Sequence, residues 1–510
     1  MTAPRRSRPS LPSASGPSRD PWGMPRPGWL PNPAEAALAL PALGAVDDAR
    51  LAVFVAIAVE NGGRQDQLAE WLSGELAARP GALLSPAWWA LAGCARLATD
   101  VEDDRRAVTW ASTAALINAA VRDLAVADRK PDGVAAGVPL PTLEAAIAAG
   151  EAHAAASLAA ALLAQQGPAA ALAELLRLAC RYPGDAGVAA IAAAALAQLA
   201  PSLGASALGQ LLPGFAAALA HRPRQFPWND GHSQRMTALG PRLDAMADRR
   251  DPSKGKAFAE AKFRVHLIDA GADGAMRALL KAAEVGVPHE LLGGSLVMAA
   301  ADRVLRAELA HPGDPDSLEG ADELAGTLLL ASATRQLRSH VPARDWLELA
   351  LYCASWTAAL APLDQPESAR RPLPEPAALH QTWDHGPEIA KVIGALQQGA
   401  PEPAIALLRA YALLALPEQP LAAQMRQVAV ALPTDAGLPR ARAAALLHAG
   451  IDEFLALAEL PQRERILAAA VRAALTLAAP ADPLQLAEAA VRRLHLGGSR
   501  QSILGAGPRA

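Results

Sequence analysis

Alanine and leucine make up most of the apolar residues, and they recur at helical spacing between breaks made by proline, glycine and aspartate. The breaks include Pro80-Gly81, Gly167-Pro168, Pro183-Gly184-Asp185, Pro312-Gly313 and Asp364. Both residues are strong helix formers, whereas the β-branched and aromatic residues that suit strands are scarce, aromatics reaching only 4%. No stretch alternates in the manner of a half-buried strand. The pattern predicts an all-α protein, with roughly eight to ten helices in each half. At 510 residues the chain can bury one large core or two ordinary ones.

A formal charge of −4 offers no basic surface for nucleic acid. The local cluster Lys254, Lys256 and Lys262 reads as a solvated helix start rather than a phosphate site. Cys94, Cys180 and Cys353 are far apart inside predicted helices, which fits buried thiols in a reducing compartment. Residues 1–36 are rich in Pro, Ser and Arg, cannot bury enough apolar surface to order themselves, and read as a disordered tail. Residues 497–510 read as a second flexible tail. The N-terminus has no apolar h-region, and the longest apolar runs, such as LAVFVAIAV, fall short of a membrane helix. The expectation is a cytoplasmic protein with no membrane partner.

Two segments far apart share one register. In EAHAAASLAAALLAQQGPAAALAELLR (151–177) and WDHGPEIAKVIGALQQGAPEPAIALLR (383–409), a His, a Gln-Gln-Gly and a Leu-Leu-Arg are equally spaced. His153 pairs with His385, and Arg177 with Arg409. Upstream, Pro139-Leu140-Pro141 matches Pro372-Leu373-Pro374. Downstream, AAALAH ending at His221 matches AAALLH ending at His448, and Arg235, Ala238 and Arg242 match Arg465, Ala468 and Arg472. Ala–Ala identities carry no weight in such a chain, but rare residues in one order do. The echo predicts an internal duplication, with a first helical half at 37–262, a second at 263–496, and a pseudo-two-fold between them. Its period is far longer than that of a helical solenoid repeat.

Standard catalytic signatures are absent: no phosphate-cradling Gly-rich loop, no GxGxxG after a strand and no GxSxG elbow. Neither a nucleotide nor an iron–sulfur cluster is therefore expected. His289-Glu290 opens like a zincin helix, but Gly293 stands where the second ligand would be. The matched histidines His153, His221, His385 and His448 could converge across a pseudo-two-fold, and a His-ligated divalent metal is the cofactor such a cluster would take. Asp384 and Glu388 lie close enough in sequence to orient His385. Packing offers the plainer alternative, each ring nitrogen meeting a nearby carbonyl. In RQFPWNDGHSQRM (224–236), Asp230 reads as a helix cap with His232 in the first turn.

Three segments, GVPHELLGGSLVMAAADRVLRAE (286–308), DGHSQRM (230–236) and ALLHAGIDEFL (445–455), resemble the large all-helical proteins of the questin-oxidase-like kind. They are also similar to the helical domain that follows a Rieske module in some bacterial proteins. The resemblance covers about forty residues and implicates His232 and His448, but the C-x-H…C-x-x-H module is missing. What it implies is an oxidoreductase acting on a small apolar organic molecule, with His385, His448 and His232 as acid–base groups or ligands and Asp384 in support. The other class open to such a chain is a non-catalytic helical scaffold that binds a partner protein.

Overall fold

The computed structural model describes residues 40–478, apart from connecting stretches of which 61–64, 78–82, 84–86, 122–141, 221–226, 308–314, 366–369, 380–384 and 432–436 are the chief ones. Both expected tails, His221 and Asp384 lie outside the described residues. All regular structure is helical, as the composition requires, and there is no strand among the described residues.

The first part comprises α1 (Asp48–Glu60), α2 (Gln65–Ala77), α3 (Ala87–Asp100), α4 (Asp103–Val121), α5 (Leu143–Ala149), α6 (Ala152–Gln166) and α7 (Pro168–Arg181). Next come α8 (Val188–Leu199), α9 (Ala205–Ala220), α10 (Pro227–Ala247), α11 (Pro252–Lys256), α12 (Glu260–Asp269), α13 (Gly271–Glu284) and α14 (His289–Arg306). The last are α15 (Pro315–Leu337), α16 (Ala343–Ala359), α17 (Gly386–Gln397), α18 (Pro401–Leu413), α19 (Glu418–Ala431), α20 (Gly437–Ala456) and α21 (Glu464–Ala478).

Helix α15 packs against α8, α14, α16, α20 and α21, and α16 packs against α7, α10, α12, α13, α14 and α15. Most buried apolar side chains form one contiguous cluster from Leu43 to Leu477, so residues on both sides of the expected 262/263 division share a core, with Ala56 and Ala111 in a small second cluster. Close approach makes up for small side chains. A methyl group added at Gly450 of α20 would overlap the Cβ of Ala470 on α21, so those helices touch almost backbone to backbone.

Buried charges tie the helices together. Arg303 is fully buried; its Nε donates to the Thr357 carbonyl at 3.0 Å, and an Nη2 donates to that of Ile268 at 2.6 Å. Its Nη1 pairs with Asp364 at 2.5 Å. The adjacent Asp302 receives Arg264 at 2.9 Å and Arg465 at 2.6 Å. The Ala-Ala-Asp-Arg run thus fastens α14 to α12, α16 and α21.

The sequence echo corresponds to two similar helical hairpins. In α6–α7 the link is Gln165-Gln166-Gly167, with Gly167 at φ 83° and Pro168 in the first turn of α7. In α17–α18 it is Gln397-Gln398-Gly399, with Gly399 at φ 67° and Pro401 in the first turn of α18. Both glycines occupy the left-handed region that side chains avoid, and proline suits a helix start because the amide hydrogen it lacks has no helical partner there. The Leu-Leu-Arg arginines also act alike. Arg177 reaches back to Glu144 at 3.0 Å, and Arg409 donates to the carbonyls of Leu373 and Pro374.

The three cysteines are free and buried, as expected, and burial pushes the Cys94 and Cys353 thiols up to about 12. Among the described residues no helix is long and apolar enough to cross a membrane. Lys254, Lys256 and Lys262 are exposed.

The α20–α21 contact yields a stability prediction. Alanine is a better helix residue than glycine by about 1 kcal/mol. Overpacking a close contact costs about 1–3 kcal/mol, which is the larger effect here. Gly450→Ala should therefore lower stability in a denaturant titration, and an unchanged or raised midpoint would show that α20 and α21 separate freely.

Candidate functional site

Helix α15 carries Ser332, Arg335 and Gln336 near its end at Leu337; Arg338, Ser339 and His340 form the turn that follows, and Pro342 then caps α16. Ser332, Arg335 and Gln336 are three and four positions apart, hence on one face of the helix. That face meets Glu453 of α20, which is fully buried. Ser332 Oγ donates to its carboxylate at 2.7 Å and Gln336 Nε2 at 3.3 Å. Arg335 closes on both carboxylate oxygens, Nη2 at 3.1 Å and Nε closer still. Burial nevertheless pushes the Glu453 carboxyl above the ordinary range, against the pull of Arg335.

The next residue, Asp452, accepts from Arg426 of α19 at 2.8 Å, both side chains being nearly buried. Gln198 of α8 reaches in to Gln336. Arg338 pairs with Glu290 at 2.7 Å on the open side, where half of Glu290 is exposed. Helices α8, α15, α19 and α20 thereby enclose a cleft of about 550 Å³ whose cationic lining comprises Arg335, Arg338 and Arg426, with His340 also among its lining residues. A guanidinium has five N–H donors. Among the described residues Arg335 Nη1 has no partner, Arg426 engages Asp452 through Nη2 only, and Arg338 engages Glu290 through Nη1 only. Donors therefore remain for a ligand while each guanidinium already has a counter-charge. Partial burial draws the His340 pKa below its ordinary value.

A second groove, of about 710 Å³, adjoins the turn after α15. Leu143 of α5, Leu158, Ala161 and Leu162 of α6, and Ala170 and Ala173 of α7 give it an apolar wall. His340 lines this groove as well.

The histidines singled out in the sequence have separate surroundings. His153 is the second residue of α6 and is exposed. His385 caps the start of α17, half-buried. Its expected partner Glu388 spends its carboxylate on Lys391, at 2.8 and 2.9 Å. His448 is fully buried within α20, its ring where a side chain on Gly93 of α3 would stand. His232 lies in α10, its ring edge-on to Tyr352 at 5.1 Å. That helix begins at Pro227, three residues before the expected cap at Asp230, because a proline seats readily in a first turn. Among the described residues no three His, Cys, Asp or Glu side chains come together as a group that could hold a metal ion. The zincin-like start resolves into packing, with His289 stacked on Trp346 and Gly293 against Arg335.

Arg335, Arg338, Arg426 and His340 were not legible as a site. Basic residues in the last turn of a helix ordinarily complement its dipole, and Glu453 is 118 positions from Arg335. Comparison with protein-family models, with curated proteins and with solved structures finds no match to this chain.

His232 gives a pH prediction. Burial first, and Arg235 second, draw its pKa from 6.5 down to about 4. The folded protein thus binds fewer protons than the unfolded chain between these values. The stability His232 contributes is complete above about pH 6.5 and is lost as the pH falls toward 4. At about 1.4 kcal/mol per pH unit, the loss approaches 3 kcal/mol. His232→Phe should flatten this part of the acid limb in urea titrations at pH 7 and pH 4, and identical slopes for the two proteins would show that the ring is not buried.

Proposed function

We propose that this chain is an α-helical binding protein that takes a small organic anion in the cleft at the end of α15. The observation that carries the reading is the convergence of Arg335, Arg338 and Arg426 on one cleft with donors to spare. The planar fork of arginine matches the paired oxygens of a carboxylate or phosphate. The volume lies within the range of small-molecule sites. The proposal stops at binding. Neither cleft includes His232, His385 or His448 in its lining, so the oxidoreductase expectation gains no support from this geometry. A scaffold for a partner protein would be favoured by a continuous exposed apolar face. Among the described residues the exposed large apolar side chains are Val265, Val285 and Leu413.

The test is a thermal-shift panel of acetate, succinate, phosphate and the neutral analogue acetamide. At least one anion should raise the melting temperature by a few degrees at concentrations far above its Kd, as mass action requires. Arg338→Gln, at a partly exposed position, should abolish the shift without altering the ligand-free melting temperature. Equal shifts in the two proteins, or a shift with acetamide, would remove the cleft from the reading.

We also infer that the chain arose by duplication of a helical half, the two copies spanning 37–262 and 263–496. Support comes from the α6–α7 and α17–α18 hairpins, with their matched glycine turns and back-reaching arginines. Superposing one hairpin on the other should bring α9–α10 over α20–α21. If the correspondence ends with the hairpins, the repeated unit is only the hairpin.

A further inference from the structure

The arginine cleft and the apolar groove are neighbours, sharing His340 in the turn between α15 and α16. They differ in chemistry. The cleft presents guanidinium donors beside Asp452, with Glu453 beneath. The groove has an aliphatic wall, with Leu158 and Leu162 four apart on one face of α6 and the small Ala170 and Ala173 on α7, and Gln165, Gln166, Glu174 and Arg177 are also in its lining. A ligand confined to the cleft would leave this apolar wall in water. A ligand lying across His340 would cover it.

The charge of the head group follows from what the cleft already holds. Arg335 and Arg426 face the carboxylates of Glu453 and Asp452. A dianion would add two further negative charges beside those two, whereas a monoanion meets the spare donors with half the repulsion.

Resting on the anion-binding reading above, we propose that the ligand is an amphipathic monocarboxylate, its head in the arginine cleft and its alkyl body crossing His340 into the groove between α6 and α7. His340 lines both sites, so an alkyl chain running from one to the other crosses its ring. Helix α7 then contributes to binding through its open alanine face, while Arg177 stays engaged with Glu144 and Glu174.

Titration calorimetry on the full chain tests this with butyrate, octanoate, octanol and octyl phosphate. Each methylene moved into an apolar site is worth about three- to fourfold in Kd. Octanoate should therefore bind on the order of a hundredfold more tightly than butyrate. Octanol and octyl phosphate should both be weaker than octanoate. Ala173→Glu, at an exposed position of α7, should remove the chain-length gain and leave butyrate unchanged. Arg338→Gln should weaken both acids alike. Equal affinity for butyrate and octanoate, both lost in Arg338→Gln, would overturn the amphipathic ligand and leave the anion cleft standing. A chain-length gain that survives Ala173→Glu would place the tail elsewhere and overturn the groove. Tighter binding of octyl phosphate would overturn the choice of a monocarboxylate. Octanol binding as well as octanoate, or no binding of either acid, would overturn this proposal together with the anion reading on which it rests.

Discussion

Alanine is the constraint from which the rest of this structure follows. A methyl group buries little area, so an alanine-rich helix contributes little hydrophobic free energy by itself, and helices must come nearly into backbone contact to exclude water. The overlap that a methyl at Gly450 would create with Ala470 shows how far this is taken. Close contact among many helices supplements the few large side chains of the core, among them Trp89, Trp110, Trp346 and Tyr352. The packing of α15 against α8, α14, α16, α20 and α21 is one consequence.

Smooth alanine faces have a second consequence. They supply few knobs to fix how far one helix slides along another. The buried ion pairs provide that register: Arg303 with Asp364, Asp302 between Arg264 and Arg465, and Glu453 under Arg335. Each joins segments distant in sequence. A slipped arrangement would strand a buried charge, at about 3–5 kcal/mol for each pair broken. The apolar contacts draw the helices together, and the charges make one arrangement better than its neighbours.

The two kinds of information were unequally legible. Helix class followed from composition, and several boundaries followed from local rules, with Pro168 and Pro401 opening helices just after glycine turns. Proline was an incomplete guide, since α9 runs through Pro213 and α10 through Pro241. Cysteine burial was also legible, because thiols scattered on apolar helix faces have nowhere else to go. The cleft was hidden. Arg335 and Arg338 look like ordinary cations at a helix end, and nothing local announces that Glu453 will lie beneath the first of them. Rare residues drew attention to the histidines instead, yet rarity does not say whether a ring packs or reacts. His448 against Gly93 and His232 against Tyr352 are aromatic bodies fitted into tight spaces.

The cleft resolves a difficulty that any buried cationic site faces. Three bare guanidiniums gathered to await an anion would repel one another and lose hydration before the ligand arrived. Here the protein supplies counter-charges from within: Glu453 on the inner edge of Arg335, Asp452 on Arg426, and Glu290 at the rim on Arg338. Each carboxylate occupies part of a fork and leaves other donors to water. An incoming anion then displaces water rather than a protein carboxylate, so the ion pairs that hold α15, α19 and α20 together stay intact when the site fills. The same pairs set an upper bound on affinity, because Asp452 and Glu453 repel whatever negative charge enters. A site built this way is suited to a weakly charged head whose remaining binding energy comes from apolar contact, and the adjoining groove is where such contact is available.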